Sequence, residues 1–537
     1  MSYNLEYLKE TLSQLGVNTL QNFTNKSIIK QLRAAGQTID PDLIADIIIT
    51  EQGVECLRNK EIRKEILDLL PNKKLTEFGF GNSGAYRFTW GNNQRSREFL
   101  EMLGTSPDLL ISSEKAEEQD ITEIEMPLWR YQNLVRKKIN NFLLYRKKRK
   151  SLVHMPTGAG KTRTMLESVC DFMRLQDSSN YVIVWLAHSE ELCDQAVESF
   201  VKLWTKHGDE NANIVRLWGG RAQNLEEISS PTFVVSSFQT AYSMTSSNND
   251  ESFRISNLIR TNCKLLVVDE AHQSIAPTYN QAIRLFANAS SKVLGLTATP
   301  GRHHIGGDPQ ETVKLHAFYD NEKIDIVGDN GEALEDPIDF LTEKEILSQI
   351  EFFSIEGSNE EDSIHLNDEE VAYIAKYMDI PPSVLKKLGD DEKRTQRIVA
   401  QIMDLVSKSD PTIVFASSKE SAMVISTLLK LRGVKAESIV GETHSKIRHD
   451  AINEFKSGNL QVLVNYGVLT TGFDSPNIRA VVIARPTTSV VLYSQMIGRG
   501  LRGPKMGGEP VCKIVNVKDN LVNMPNVSQA FLFFEKL

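Results

Sequence analysis

Cysteine is scarce and unpaired in this sequence: Cys56, Cys170, Cys193, Cys263 and Cys512 are its five, among 537 residues, and no two form a Cys-x-x-Cys pair. That spacing argues against a zinc ribbon and against a disulfide framework, and leaves the thiols to act as small buried side chains. Long apolar runs are lacking as well. No stretch approaches the roughly 20 apolar residues that span a bilayer, and the opening MSYNLEYLKETLSQLG has neither a basic start nor an apolar core. The reading predicts a cytoplasmic chain with no secretory signal and no membrane partner. Positive charge is not in surplus: 61 Lys and Arg stand against 70 Asp and Glu, a net charge of -9. Such a chain as a whole repels polyanions, so any nucleic-acid contact must come from a local groove. Hydrophobic residues at 41% and charged residues at 24% are ordinary for a globular protein. The length exceeds what one core usually serves, which predicts two to four domains.

Residues 1–112 read as a mainly helical accessory domain, with Leu5, Leu8, Leu12 and Leu15 at helical spacing and a second apolar run from Ile44 to Leu70. The acid-rich segment 113–126 has the composition of an exposed linker. Beyond it, short apolar runs alternate with helical segments: Leu152-Val153, Val182–Leu186, Phe233–Val235, Leu265–Val268 and Val293–Leu296. Strands of this kind imply a parallel sheet covered on both faces. A second series, Ile413–Phe415, Ser438–Val440, Val462–Val464, Val481–Ile483 and Lys513–Val515, predicts a second α/β lobe. The expected boundaries are 127–305 for lobe one, 306–335 for a hinge and 336–537 for lobe two, with a helical insertion at about 360–400. The basic run Arg146–Lys150 closes a helix, where cations are favoured, and reads as a solvated helix end.

The chemistry begins at Thr157-Gly158-Ala159-Gly160-Lys161-Thr162, which follows an apolar strand and opens a helix. Glycines let the backbone wrap a phosphate, and successive N–H groups with the helix N-terminus supply the positive field. In this P-loop Lys161 is expected at the β- and γ-phosphates of ATP and Thr162 at Mg²⁺. About one hundred residues on, Leu265–Val268 delivers Asp269-Glu270-Ala271-His272 to a strand tip. Asp269 fits the role of a Mg²⁺ ligand, and Glu270 that of the general base on the attacking water.

Asp-Glu-Ala-His, the P-loop and Leu296-Thr297-Ala298-Thr299-Pro300 together resemble motifs I, II and III of the superfamily 2 DEAH-box helicases and translocases. The resemblance covers residues 125 to about 520, and is nearest to DNA translocases of the RadD, UvsW, XPB and restriction-subunit kind. It implies two tandem RecA-like parallel-sheet lobes behind the helical N-terminal domain, and an ATP hydrolase acting on nucleic acid, DNA favoured over RNA. Gln132, in Trp129-Arg130-Tyr131-Gln132, falls where the family reads adenine, with tryptophan standing where many relatives have arginine. Ser494–Arg502 resembles motif VI, which makes Arg499 and Arg502, three apart on one helical face, arginine fingers and Gln495 a γ-phosphate or water contact. Val468–Pro476 resembles motif V, with Thr470 at nucleic acid and Gly472 and Asp474 at the nucleotide. His188, Ser237, Gln239 and Thr240 in lobe one, and Gly441 and Thr443 in lobe two, match nucleic-acid contacts, although Ser and Thr at such places also cap helices. Pro107-Asp108 and Glu114-Lys115 lack nuclease spacing, so a nuclease would be a protein partner docking on the N-terminal domain, as in a repair or anti-phage assembly. The same motifs also suit a DNA-stimulated sensor or clamp that never unwinds, or an RNA helicase.

Overall fold

The computed structural model describes residues 5–522 apart from 82–83, 92, 111–126, 179, 220–224, 247–249, 299–308, 358–362, 378 and 470–474. Thr299, the acidic linker, the glycine-rich start of the expected hinge, and Thr470, Gly472 and Asp474 therefore lie outside the described residues. Among the described residues no helix is long and apolar enough to cross a membrane.

Two parallel sheets carry the chain. The first contains β1 (Lys150–His154), β2 (Val182–Ala187), β3 (Asn213–Leu217), β4 (Thr232–Ser237), β5 (Cys263–Val268), β6 (Lys292–Thr297) and β7 (Lys323–Asp325), in the order β3-β4-β2-β5-β6-β1-β7. The second takes β8 (Gln349–Glu356), passes over the short β9 (Ile364–His365), and continues with β10 (Thr412–Phe415), β11 (Ala436–Ile439), β12 (Val462–Asn465), β13 (Ala480–Ile483) and β14 (Val511–Lys518). Its order is β11-β12-β10-β13-β14-β8, and β15 (Leu521–Val522) pairs with β9 alone. Strands such as β2 and β4 are buried along their whole length, as covered parallel strands must be. All ten predicted runs are strands or overlap one. The sequence pattern missed β3, β7 and β8 of the two sheets and the short pair β9 and β15: β3 and β8 stand largely half-exposed or exposed, β7 is three residues long, and β9 and β15 are two each. Because β7 pairs with β1, the first sheet extends into the stretch read as hinge.

The N-terminal helices pack on lobe two, not on the lobe that follows them in sequence. Helices Lys26–Ala34 and Pro41–Gln52 lie against Lys419–Leu431, and one buried cluster joins Leu8, Ile28, Leu32 and Ile48 to Ile398, Leu428 and Val434. Polar pins flank that core, with Asn25 Nδ2 3.2 Å from Glu420 Oε1 and Gln31 Nε2 2.9 Å from Asp390 Oδ1. Inside the N-terminal domain the buried Arg63 guanidinium donates to the carbonyls of Leu57, Arg58, Tyr86 and Phe88 and lies 4.5 Å from the Phe88 ring centroid.

A buried ion pair ties together the elements of lobe two. Arg394, on helix Glu392–Ser407, reaches Asp519 at 2.7 and 2.8 Å and the Ala484 carbonyl at 2.6 Å, with both charged side chains fully shielded from solvent. Removing one partner of such a pair strands the other charge in a low-dielectric interior. Arg394→Ala is therefore expected to destabilise lobe two by about 3–5 kcal/mol, read by urea titration of the full chain. A loss under about 1 kcal/mol would mean that the pair behaves as a solvated one.

Candidate nucleotide and nucleic-acid site

β1 ends at His154, the chain turns through 155–160, and helix Lys161–Arg174 begins. Gly158 (φ +84°) and Gly160 (φ +78°) hold the left-handed backbone that the turn requires and that a side chain would strain. Room is short as well: a Cβ at Gly158 would stand 2.8 Å from Leu347 Cδ2 of lobe two, and one at Gly160 would collide with the Gln132 amide. The Tyr131 hydroxyl and Gln132 Nε2 both donate to the Ala159 carbonyl, at 2.9 and 3.1 Å, while Gln132 Oε1 accepts from the Trp129 N–H at 2.9 Å. Gln132 is thus buried with both ends of its amide engaged by helix and P-loop backbone. An adenine-edge contact would require that amide to turn, and the Tyr131 hydroxyl braces the loop.

β6 lies between β5 and β1, so the carboxylates that follow β5 come up beside the P-loop. Asp269 is buried, and Glu270 takes a left-handed backbone at φ +51° and ψ +50°, uncommon for a residue with a side chain and a frequent mark of functional sites. His272 Nδ1 stands 3.4 Å from Glu270 Oε2. Burial raises the Asp269 carboxyl above the usual carboxylate range, and the neighbouring charge of Glu270 adds to it. Burial presses Glu270 in the same direction but is outweighed by His272, by Lys161 and by Arg499 of lobe two, so Glu270 is held low and ionised. An ionised, buried carboxylate that feels cations from both lobes can orient and deprotonate a water.

Motif VI departs from expectation. Its helix, Val490–Ile497, stops before Arg499, so Arg499 and Arg502 do not share a helical face. Gly498 closes the helix, and the backbone beyond is taken up by pairing with the segment before β8: Ser348 N donates to Leu501 O at 3.1 Å, and Gly503 N to Ile346 O at 2.9 Å. Arg499 stays near the helix end, its Nε donating to Gln495 O at 3.3 Å, while Arg502 lies in the bridge opposite Leu347. Gly498 packs directly on Thr157, so the P-loop and motif VI touch.

Among the described residues, those expected at nucleic acid follow strand ends: His188 after β2, Ser237 at the end of β4 with Gln239 and Thr240 beyond it, and Gly441 and Thr443 after β11. Ser237 and Thr240 bond to each other, Oγ to Oγ1 at 3.0 Å and Thr240 N to Ser237 Oγ at 3.1 Å, closing the first turn of helix Phe238–Ser246, which also carries Gln239. The Ser237 hydroxyl acts here as the helix cap, and the Thr240 hydroxyl accepts its proton. His188, exposed after β2, bonds Tyr279 Oη through Nδ1 at 2.6 Å and stacks parallel to its ring. Thr443 is buried and accepts from Val440 N at 2.9 Å, which leaves the loop's backbone and Gly441 as its contact surface. A cavity of about 420 Å³ between the lobes runs from Glu270 and Gln495 to His188 and Gly441. Across its mouth Arg448 pairs with Glu191 at 2.6 Å and donates to the carbonyls of Gly441 and Thr443 at 3.2 and 3.4 Å. The sequence carried no signal for Arg448, Glu191 or Tyr279, because each meets its partner only through the fold.

Residues 125–302 match the family model "Type III restriction enzyme, res subunit", and residues 395–503 match "Helicase conserved C-terminal domain". The chain belongs to the superfamily 2 helicases. It is 29% identical over 382 residues to the Schizosaccharomyces pombe protein named as mitochondrial ATP-dependent helicase irc3, covering 70% of this chain and 54% of that one. With Saccharomyces cerevisiae IRC3, named as an ATP-dependent helicase, identity is 25% over 358 residues, 65% of this chain and 46% of that one. The chain spans about half the length of these relatives. S. cerevisiae Dbp5 bound to RNA and ADP BeF3 overlies 75% of this chain with 85% of its own, at 16% identity and a TM-score of 0.48. Both matched helicase segments fall on the two sheets that meet at the P-loop and motif VI.

Proposed function

We propose that this chain hydrolyses ATP in the cleft between its lobes and uses the cycle to move along or remodel nucleic acid, DNA in preference to RNA. The observation that carries the reading is geometric: motif VI packs on the P-loop through Gly498 and Thr157, and Glu270 and Gln495 line one cavity between the lobes. In this reading Gly158, Ala159 and Gly160, with Thr157 beside them, wrap the phosphates through backbone N–H groups, and Lys161 neutralises the β- and γ-oxygens. Glu270 takes the proton of the attacking water, Gln495 orients that water or the γ-phosphate, and Arg499 and Arg502 bring positive charge to the transition state. Gln132 holds the P-loop in shape for the base, and Gly472 and Asp474 complete the nucleotide site.

Thr162 and Asp269 fit Mg²⁺. Both offer oxygen, the metal usually takes only one or two carboxylates besides phosphate oxygens and water, and Asp269 is a buried acid at the tip of β5 beside the P-loop. Held by Thr162 and Asp269, Mg²⁺ would supply positive charge against the phosphate oxygens. His188, Ser237, Gln239 and Thr240 in lobe one, with Gly441 and Thr443 in lobe two, are assigned to one nucleic-acid strand mainly through loop backbone and the exposed His188, a mode that positions sugar-phosphate without reading bases, and Thr470 is assigned to the same strand. The preference for DNA rests on the restriction-subunit character of lobe one. A protein partner of the N-terminal domain, such as a nuclease, would have to use faces that lobe two leaves open.

ATP turnover measured against single-stranded DNA, duplex, forked DNA and RNA at fixed salt tests the reading, because phosphate binding falls steeply with ionic strength. Stimulation is expected, stronger by DNA than by RNA, together with strand or triplex displacement. Stimulated turnover without either displacement would make the chain a sensor or clamp, and stronger stimulation by RNA would reverse the substrate assignment.

A further inference from the structure

The N-terminal domain precedes lobe one in sequence yet shares a core with lobe two, and its contact with lobe two extends to the loop proposed above to hold nucleic acid. The helical turn Gly53–Arg58 abuts the start of helix Ser445–Lys456, which directly follows Gly441–Thr443. Gly53 has φ +53°, and a Cβ there would meet Ile447 Cδ1 at 2.8 Å and His444 Cβ at 3.8 Å. Glu55 lies close enough to act on His444 through its charge, and its carboxylate is itself held by Arg58 at 3.3 Å and Trp90 at 3.4 Å. His444 caps the helix by accepting from Lys446 N at 3.3 Å. One residue beyond Ile447, Arg448 turns back to the carbonyls of Gly441 and Thr443 and crosses the cleft to Glu191 of lobe one.

These neighbours form a continuous path: Gly53 and Glu55 lie beside His444 and Ile447, the first helical turn carries Arg448, and Arg448 holds the loop carbonyls and the inter-lobe pair. We infer that the N-terminal helical domain is a brace for the strand-contacting loop of lobe two, and that Gly53 and Ile447 are positioning residues for nucleic-acid engagement. The inference rests on the nucleic-acid reading of that loop. A packed contact without slack transmits a shift of a few tenths of an ångström, because close-packed interiors have no voids in which to absorb it. The Gly53 contact is close enough that even a methyl group would displace Ile447.

The test uses the full chain with Gly53→Ala, Ile447→Ala and the double variant, and reads ATP turnover as a function of single-stranded oligonucleotide concentration. Gly53→Ala should push the helix start, and Ile447→Ala should leave it loose. Each single change is expected to raise the half-saturating oligonucleotide concentration about 3- to 10-fold, with turnover in the absence of oligonucleotide unchanged. The double variant relieves the clash with Cδ1 but not the strain of a side chain at φ +53°, so its effect should be clearly smaller than the product of the two single effects. Additive effects, unchanged half-saturation in both single variants, or an equal fall in oligonucleotide-independent turnover would each overturn the brace. If no nucleic acid stimulates the wild-type chain, the nucleic-acid reading fails first and takes this inference with it, an outcome distinguishable without any variant.

Discussion

Glu270→Gln is expected to lower ATP turnover by about 10²- to 10⁴-fold while leaving ATP binding near the wild-type level. The amide keeps the shape of the carboxylate but cannot accept the proton of the attacking water. Three features concentrate the effect at this residue. Its backbone is left-handed, and its N–H is held by Asp269 Oδ1 at 3.0 Å, which fixes the residue at the strand tip. His272 lies 3.4 Å away on the same turn, and the fields of Lys161 and Arg499 keep the carboxylate ionised and available as a base. The check is a pair of measurements, steady-state phosphate release and equilibrium titration with a fluorescent ATP analogue. Turnover within about 3-fold of wild type would remove Glu270 from the base role, and a parallel loss of binding would make its contribution structural.

Arg499→Ala is the second large expected effect, a fall in turnover of about 10³- to 10⁵-fold with nucleotide affinity much less affected. A P-loop binds triphosphate without help from the second lobe, whereas the transition state spreads negative charge over the γ-phosphoryl oxygens and gains most from a cation delivered as it forms. Arg499→Lys should recover little, because an ammonium cannot reproduce the planar, forked donor set of guanidinium. Arg502→Ala should cost less than Arg499→Ala: Arg499 acts on Glu270, whereas Arg502 sits in the bridge to Leu347 beyond the end of the helix. Single-turnover measurements on the three variants decide the matter. A larger loss at Arg502 than at Arg499 would exchange their assignments.

Much of the core was legible because its signals are local. Runs of β-branched residues such as Val182–Leu186 are buried strands wherever they occur, and glycines at 158 and 160 demand a turn that only a few backbones satisfy. The same locality explains the misses. β8 alternates half-exposed with exposed residues, carries little hydrophobic signal and becomes a strand only through β14 beside it. The i, i+3 spacing of Arg499 and Arg502 implied one helical face, but hydrogen bonds from the segment before β8 draw the backbone out of the helix at that point. From sequence Ser237 and Thr240 suit either helix capping or nucleic-acid contact, and the fold uses the Ser237 side chain as a cap with the Thr240 hydroxyl bonded to it.

The sequence by itself determined two parallel-sheet lobes, the phosphate loop, and the acid pair at the tip of β5, because short-range patterning and backbone sterics fix each of them within a few residues. Tertiary structure alone decided what lies across the cleft and what stands behind it. Arg448 meets Glu191 from 257 residues away, Leu347 and Gly498 close over the P-loop, and the N-terminal helices bury their apolar face on lobe two and not on their sequence neighbour. Pairings at that separation depend on the summed burial of whole surfaces, to which no single residue or spacing in the chain gives expression.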